Sequence, residues 1–586
     1  MNSLSTKTIL LALFGIYIFA ITFASLNTPD QSYKVERGLS NFCYESHEQT
    51  PHERIYKFSN PALAYKILTQ LDTLPPLGAT NRYNTNDPIS IPRLNLKTDD
   101  RYCDKHRQYI VSFPEAIFQD LNVIMDRAPG TLMRNKVVPQ VGNDIQSYIG
   151  LHMPKNETRI YDIKPQVNLF LTRKDMYKEK RIGQHFSCLT QISSHIPSQH
   201  ALSQKDRVAE EVQDYAKQYA DRPDCFNFDK FFPKTYLLYR QEDCIDFFKA
   251  FNSQQYQTLK EERRIVYIRK DTKNKHMGLG VEPINDKQES ELRTLYADGE
   301  LCGKVQERFL VQNYIHNPLL LNGRKFDFRI YLLLASSNPF MAYYHDGFLR
   351  VSLMKYNVNS DDKKVLLTNL ALSYQIYDDA KEGQLYQGMD EEALKHAQQW
   401  SFERLQAYLL EAGVIRDPNW LDNYLRPEFK KALVHLLRFS MKPMYEHSSV
   451  FQLYGVDFML DENLNLWFIE ANAKPGLGEY SQPMEKFIVK MLVDHLEIVS
   501  GLLRSRTKRI VRYVNMLIDS GMVKETREDE VVIRELEQTR VTFKKISKNW
   551  FEKEFEPSDG NGFSKILDEN YSGEERYQGL IEAKCL

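Results

Sequence analysis

Cysteine is scarce and unpatterned in this chain of 586 residues. Its seven cysteines are Cys43, Cys103, Cys188, Cys225, Cys244, Cys302 and Cys585. They form no C-x-x-C pair and no spacing with histidine that suits zinc. So odd and sparse a set reads as mostly free thiols in a reducing compartment. An excess of one charge is missing as well: 77 basic and 78 acidic residues leave a net charge of −1. Nothing global draws the chain to nucleic acid, and charge-based recognition has to be local. No internal repeat is visible, which argues against a solenoid or propeller.

What is present is globular. Hydrophobic residues make up 42% and charged residues 26% of the chain, enough to bury a large core. The length allows three or four domains of ordinary size, or fewer large ones. One long apolar run occurs, Thr8–Leu26, with 19 residues and no charge. As a helix it spans about 28 Å, close to the hydrocarbon thickness of a bilayer. It reads as a membrane anchor, or as a signal peptide cleaved near Ala24. Residues 28–110 are rich in Pro, Asn, Asp and Thr and read as an irregular region. Regular apolar spacing begins near 110. Helices are expected over 210–222, 390–413, 426–440 and 484–503, the last continuing as a basic helix over 503–514. The expected organisation is a membrane segment (1–27), the irregular region (28–110), an α/β lobe (111–255), a core (256–500) and a C-terminal helical extension (501–586).

The segment FQLYGVDFMLDENLNLWFIEANAKPG (451–476) reads as a hairpin turning at Asp461-Glu462-Asn463. In that hairpin Asp457 comes close to Glu470, and Glu470 and Asn472 share one face. Two carboxylates among Phe458, Trp467 and Phe468 are costly to bury without a counter-charge. A hard divalent cation such as Mg²⁺ would supply it. Asp457 could equally cap a turn while Glu470 pairs with a lysine.

Two further stretches point to phosphate or carboxylate. YIRKDTKNKHMGLGVEPI (267–284) is a strand, a polar basic loop and Gly278-Leu279-Gly280, followed by another strand. Glycine N–H groups and Lys270 can approach phosphates there, although a plain hairpin with a solvated basic face has the same pattern. In GRKFDFRIYLLL, Lys325, Asp327 and Arg329 project from one strand face, and Phe326, Phe328 and Ile330 from the other. Arg350 lies on the next strand and can join the charged face, which otherwise reads as a surface ion-pair ladder. Thr368-Asn369 follows in a polar break.

In this order, FFPKTY, GLG, VQNYIHNPLLLNGRKFDFRIYLLL, GFLRVS, TN and YGVDFMLDENLNLWFIEANAKPGL resemble the tubulin tyrosine ligase-like family. The upstream string SHIPSQHALSQKDRVAEE is similar too, and the resemblance covers about 180–500. It implies an α+β fold with an ATP-grasp core, and a carboxylate–amine ligation through an acyl phosphate, with ATP and Mg²⁺. The implied amino acid is glutamate first, with glycine or tyrosine as alternatives. The implied partners are tubulin or microtubules, a free amino acid and no nucleic acid, with the basic run Arg504–Arg512 available for docking. With the anchor at 8–26, the chain is expected at a membrane, its catalytic part cytoplasmic or ciliary.

Residue by residue, the resemblance makes Gln312, Asn313, Tyr314 and Ile315 the adenine hinge. Lys325 becomes the lysine that reaches the ATP phosphates, with Asp327 beside it. Arg329 and Arg350 become holders of the acyl phosphate or carboxylate. Thr368 and Asn369 are placed near nucleotide and amino acid, and Asp457, Glu470 and Asn472 become Mg²⁺ ligands. Lys474 is set near substrate or phosphate, and Lys270, Gly278 and Gly280 at the phosphate loop. The chain departs from the family at Arg269-Lys270-Asp271, where either basic residue has to serve as the phosphate lysine. It departs again at Asn313, a common lysine position, and at Leu366, a histidine position. A catalytically weak tubulin binder, or a lumen-facing membrane ligase, are the alternative readings.

Overall fold

A computed structural model describes residues 57–73, 100–112, 121–125, 136–137, 140, 145–149, 167–171, 188, 190–196, 200–218, 230–263, 265–272, 280–337, 340–368, 391–441, 450–477, 481–525, 531–533 and 555–568. The architecture is mixed α+β, with two principal sheets. In chain order the strands are β1 (Leu121–Met125), β2 (Ile145–Ile149), β3 (Leu169–Leu171), β4 (Ile192–Ser194), β5 (Thr235–Leu237), β6 (Tyr267–Asp271), β7 (Val281–Pro283), β8 (Phe309–Asn313), β9 (Leu320–Leu321), β10 (Arg324–Ser337), β11 (Phe340–Val351), β12 (Gln399–Trp400), β13 (Val450–Leu460), β14 (Leu466–Asn472), β15 (Val523–Glu525), β16 (Val531–Ile533) and β17 (Ser564–Asp568).

The large sheet runs β12-β11-β10-β13-β4-β3-β1-β2, with β14 added to β13, β9 to β10 and β17 to β11. Its β10, β11, β13 and β14 pair antiparallel, whereas β4, β3, β1 and β2 continue it in parallel. The second half of β10, Ile330–Ala335, is covered on both faces, which explains its unbroken apolar run. Phe326, Phe328 and Ile330 are fully buried, as are Phe429 and Leu433 of the helix Arg426–Met441. Phe328 meets Phe429 edge-on at 5.2 Å. This packing fixes one face of β10 in the core and leaves the charged face for the cleft.

The small sheet, β5-β8-β6-β7, is antiparallel throughout. Helices Gln241–Phe251 and Asp286–Tyr296 join its own aromatic core of Phe247, Phe248, Phe251, Tyr267 and Tyr296. Asn285 caps the second helix by accepting from the N–H groups of Lys287 and Gln288.

The irregular reading of 28–110 misses two helices, Pro61–Thr73 and Asp100–Ser112. The basic helix is one piece with its predecessor, Gln482–Asp519. Arg506 and Arg509 on it are buried, and Arg506 Nη2 donates to the Gln191 carbonyl at 2.5 Å. Burial lowers the Arg506 guanidinium to about 9. Most of that run therefore packs inward rather than offering a docking face. After Asp519 the described residues form strands, not helices. The membrane-anchored placement is corrected as well: among the described residues no helix is long and apolar enough to cross a membrane. The segment 8–26 itself lies outside the described residues, and the anchored location with a cytoplasmic or ciliary catalytic part is withdrawn. The free-thiol reading also fails, because Cys244 and Cys302 form a disulfide and Cys188 is disulfide-bonded.

Candidate active site

A cleft enclosing about 1120 Å³, part of it open to solvent, is lined by residues of both sheets. The small sheet contributes Ile268 and Lys270 from β6 and Val281 from β7. It also contributes Gln312 and Asn313 from β8, continued by Tyr314 and Ile315. The large sheet contributes Lys325, Asp327 and Arg350, with Asp457 and Met459 from β13 and Ile469, Glu470 and Asn472 from β14. Leu366, Leu367 and Thr368 close one side.

The strongest electrostatic feature is an alternating chain of four buried charges. Arg329 Nε donates to Asp457 Oδ1 at 2.5 Å, and its Nη2 to Oδ2 at 3.0 Å. Arg350 Nη2 donates to the same Asp457 Oδ2 at 2.8 Å. Arg350 also makes a two-point contact with Asp327, at 2.6 and 2.8 Å. Thr368 Oγ1 completes the Asp327 shell at 2.5 Å. The strands dictate this: Asp327 pairs with Arg350, and Arg329 with Asp457, in register. Burial raises the Asp457 carboxyl, but the two guanidinium groups more than offset that and hold it low and ionised. Burial raises Asp327 above the ordinary carboxylate range, and Arg350 offsets this only in part. Paired charges tolerate burial when the pairing geometry is good and further hydrogen bonds share the load, as the two-point Arg–Asp contacts and Thr368 do here.

Asp457 lies opposite Glu470 across β13 and β14, just before a bulge that shifts the register at Phe458. Asn472, two residues beyond Glu470, donates its Nδ2 to Glu470 Oε1 at 3.2 Å. That orientation leaves the amide oxygen as the donor atom for a cation. Two carboxylates and one amide oxygen on one wall of the cleft suit a hard divalent ion whose remaining ligands are phosphates and water. Among the described residues no cluster of three or more His, Cys, Asp or Glu could hold a metal by itself.

Two lysines are buried in the cleft. Lys270 Nζ donates to Gln312 Oε1 at 2.6 Å, and burial, with Lys205 nearby, lowers it to about 8. Lys325 Nζ donates to Tyr314 Oη and to the Leu366 carbonyl, each at 2.9 Å, and lies 4.6 Å from the Tyr314 ring centroid. Burial lowers it to about 7. The two choices at Arg269-Lys270 are separated by strand alternation: Lys270 lines the cleft. Arg269 instead lies over the Phe309 ring at 5.1 Å and 3.8 Å from Asp271.

Other residues singled out in the sequence sit elsewhere. Arg329 stands behind the cleft wall, against Asp457. Gly280 is in the left-handed region at φ +78°, where a Cβ would come within 2.9 Å of Asp271 Oδ2. Its conformation lets the start of β7 lie close against the end of β6, where Asp271 N donates to the Gly280 carbonyl at 2.7 Å. Lys474 is exposed beyond β14. Gly278 and Asn369 lie outside the described residues. The sequence reading missed Lys205, which lines the cleft 4.0 Å from Glu470. Its signal is the lysine of SQKD, inside the upstream segment that resembles the family. The apolar lining of Ile268, Met459 and Ile469 was missed too, because those residues read simply as strand core.

A profile of the tubulin-tyrosine ligase family matches residues 184–508, more than half of the chain. The chain belongs to the tubulin-tyrosine ligase family. The match contains both walls of the cleft, from Lys205 to Asn472. Among curated relatives of this family member, protein polyglycylase TTLL10 of Macaca fascicularis is 27% identical over 283 residues, 46% of this chain and 42% of the relative. Inactive polyglycylase TTLL10 of Homo sapiens is 27% identical over 285 residues, 46% of this chain and 38% of the relative. Probable tubulin polyglutamylase TTLL9 of Bos taurus is 32% identical over 223 residues, 37% of this chain and 45% of the relative. The matched part of this family member thus spans less than half the length of each of these relatives.

Proposed function

We propose that this chain is an ATP-dependent ligase with an ATP-grasp core, joining an amino acid, glutamate or glycine, to a carboxylate of tubulin or another protein. One observation carries the reading. A cleft between two sheets sets buried Lys270 on the small-sheet wall and buried Lys325, Arg350 and the Asp457, Glu470 and Asn472 oxygens on the large-sheet wall. Family membership, and relatives named as glycylases and polyglutamylases, support the same reading.

A free carboxylate resists an amine because oxide is a poor leaving group, and transfer of the ATP γ-phosphoryl group to it supplies a better one. The residues then have to bind, neutralise and align. The backbone of Gln312–Ile315 and the apolar side chains of Ile268, Met459 and Ile469 suit a flat base. Lys325, held by Tyr314 and Leu366, sits at that end of the cleft. Lys270 and Lys205 face the β14 wall and would meet the phosphates. Asp457, Glu470 and Asn472 would hold Mg²⁺, which when bound neutralises phosphate charge. Arg350, oriented by Asp327, would hold the carboxylate, and Arg329 would steady Asp457 from behind.

The test is incubation of the full chain with Mg-ATP, purified tubulin and labelled glutamate or glycine in turn. ATP-dependent label on the acceptor supports the proposal. Tight Mg-ATP binding without transfer to any protein acceptor would overturn it in favour of a non-catalytic binder.

A further inference from the structure

The small lobe that forms one wall of the cleft is stapled. Cys244, on the helix Gln241–Phe251, and Cys302, in the turn after the helix Asp286–Tyr296, form a disulfide with Cα atoms 5.6 Å apart. Both sulfurs belong to the lobe's core beside Phe248 and Tyr296. The backbone is shaped for this meeting. Gly299 and Gly303 flank Cys302 at φ +107° and +80°. A Cβ at Gly299 would approach Phe248 Cβ to 3.0 Å, and one at Gly303 would approach Gln241 to 3.2 Å. Two left-handed residues thus let the turn lie directly on the helix that carries Cys244. The bridge spans 58 residues of sequence, and that loop contains β6, Lys270 and β7. A second bridge exists, because Cys188, in the large-sheet region, is also disulfide-bonded. Among the described residues, Cys188, Cys244 and Cys302 are therefore all oxidised.

Two bridges, one of them buried in a lobe with a modest core, are what a protein of an oxidising compartment carries; thiols of cytosolic proteins stay reduced. We infer that this ligase matures and works where disulfides persist, and that its acceptor is a protein of that same oxidising compartment. The inference rests on the ligase reading for the acceptor but not for the redox state. Forming the bridge removes two protons and two electrons from Cys244 and Cys302. A disulfide donor takes them up and becomes a dithiol. Within the lobe the staple ties the helix Gln241–Phe251 to the turn after Asp286–Tyr296, and Phe247 of that helix packs on Tyr267 of the Lys270 strand at 5.5 Å, so reduction should loosen nucleotide binding.

The experiment begins with the full chain in its own cells, alkylated with N-ethylmaleimide before lysis and mapped by mass spectrometry without reductant. A Cys244–Cys302 linked peptide, and Cys188 in linkage, are expected. Alkylated Cys244 and Cys302 would overturn the inference. The purified oxidised chain is then given Mg-ATP, labelled glutamate or glycine, and either purified tubulin or the acidic protein pool secreted by the same cells. Label on the secreted pool is expected, and label on tubulin alone overturns the acceptor class. Intact disulfides with no label on either pool overturn the ligase reading while the oxidised state stands. Cys244→Ala/Cys302→Ala, or the reduced chain, should bind ATP at least about threefold more weakly and melt about 5 °C lower. Unchanged binding and melting would show that the bridge does not hold the lobe.

Discussion

Arg329 on β10 and Asp457 on β13 stand opposite each other in register and are tied by two hydrogen bonds, with both side chains almost out of contact with water. This pair answers the question raised by the buried Asp457: its counter-charges are guanidinium groups first, and a cation can add to them. Asp457→Ala leaves Arg329 without its ion partner and Arg350 with Asp327 alone. Removing one member of a buried pair costs about 3–5 kcal/mol. We expect a clearly lower melting temperature and at least about a hundredfold loss of ligation. A variant with wild-type melting and turnover would refute the role of this pair.

Lys270 and Arg269 are neighbours in sequence on opposite faces of β6. Lys270→Ala should weaken ATP binding by about tenfold or more, the worth of one charge-assisted contact. Arg269→Ala should change it less than about twofold. Isothermal titration calorimetry separates them, and equal effects would mean that the cleft assignment of Lys270 is wrong.

Lys270 and Lys325 have folded values near 8 and 7, below their unfolded value, because burial disfavours their charge. The unfolded chain therefore holds more protons between about pH 7 and 10.5, and the ligand-free protein gains stability as pH rises through that window. Phosphate binding favours the charged lysine, so the opposite dependence is expected for ATP. Affinity falls above pH 8, and binding at pH 8 takes up about half a proton. Calorimetry in buffers of different ionisation enthalpy measures that uptake. Lys270→Met should abolish most of it, and proton release on binding would contradict the assignment.

Gly455 has no room for a side chain. A Cβ there would lie 2.9 Å from Arg329 Cδ and 3.0 Å from Pro475 Cβ. Gly455→Ala should cost about 1–3 kcal/mol through overpacking and push Arg329 off Asp457. Because Arg329 stands behind the cleft wall, turnover should drop while ATP affinity holds. Thermal melts, turnover and a nucleotide titration test this together; a parallel loss of affinity would show that the two sites are not separable.

Much of the cleft was legible in the sequence because strands convert spacing into direction. Lys325, Asp327 and Arg329 alternate with Phe326, Phe328 and Ile330, and the core has only one way to take the aromatic face. The hairpin 450–472 carried its own turn, where Asp461 accepts from the N–H groups of Asn463 and Asn465. Local pattern could not tell which carboxylate meets which guanidinium, since Arg329 and Asp457 are 128 residues apart. Nor could it choose between Lys270 and Arg269, because the face of β6 is set by its pairing with β8. The fate of Arg506, Cys244 and Cys302 was hidden for the same reason. Sequence by itself determined the alternation, the turns and the family. Tertiary structure alone decided which charges are neutralised, which thiols meet and which basic helix face is buried, because those outcomes depend on pairing between segments far apart in the chain.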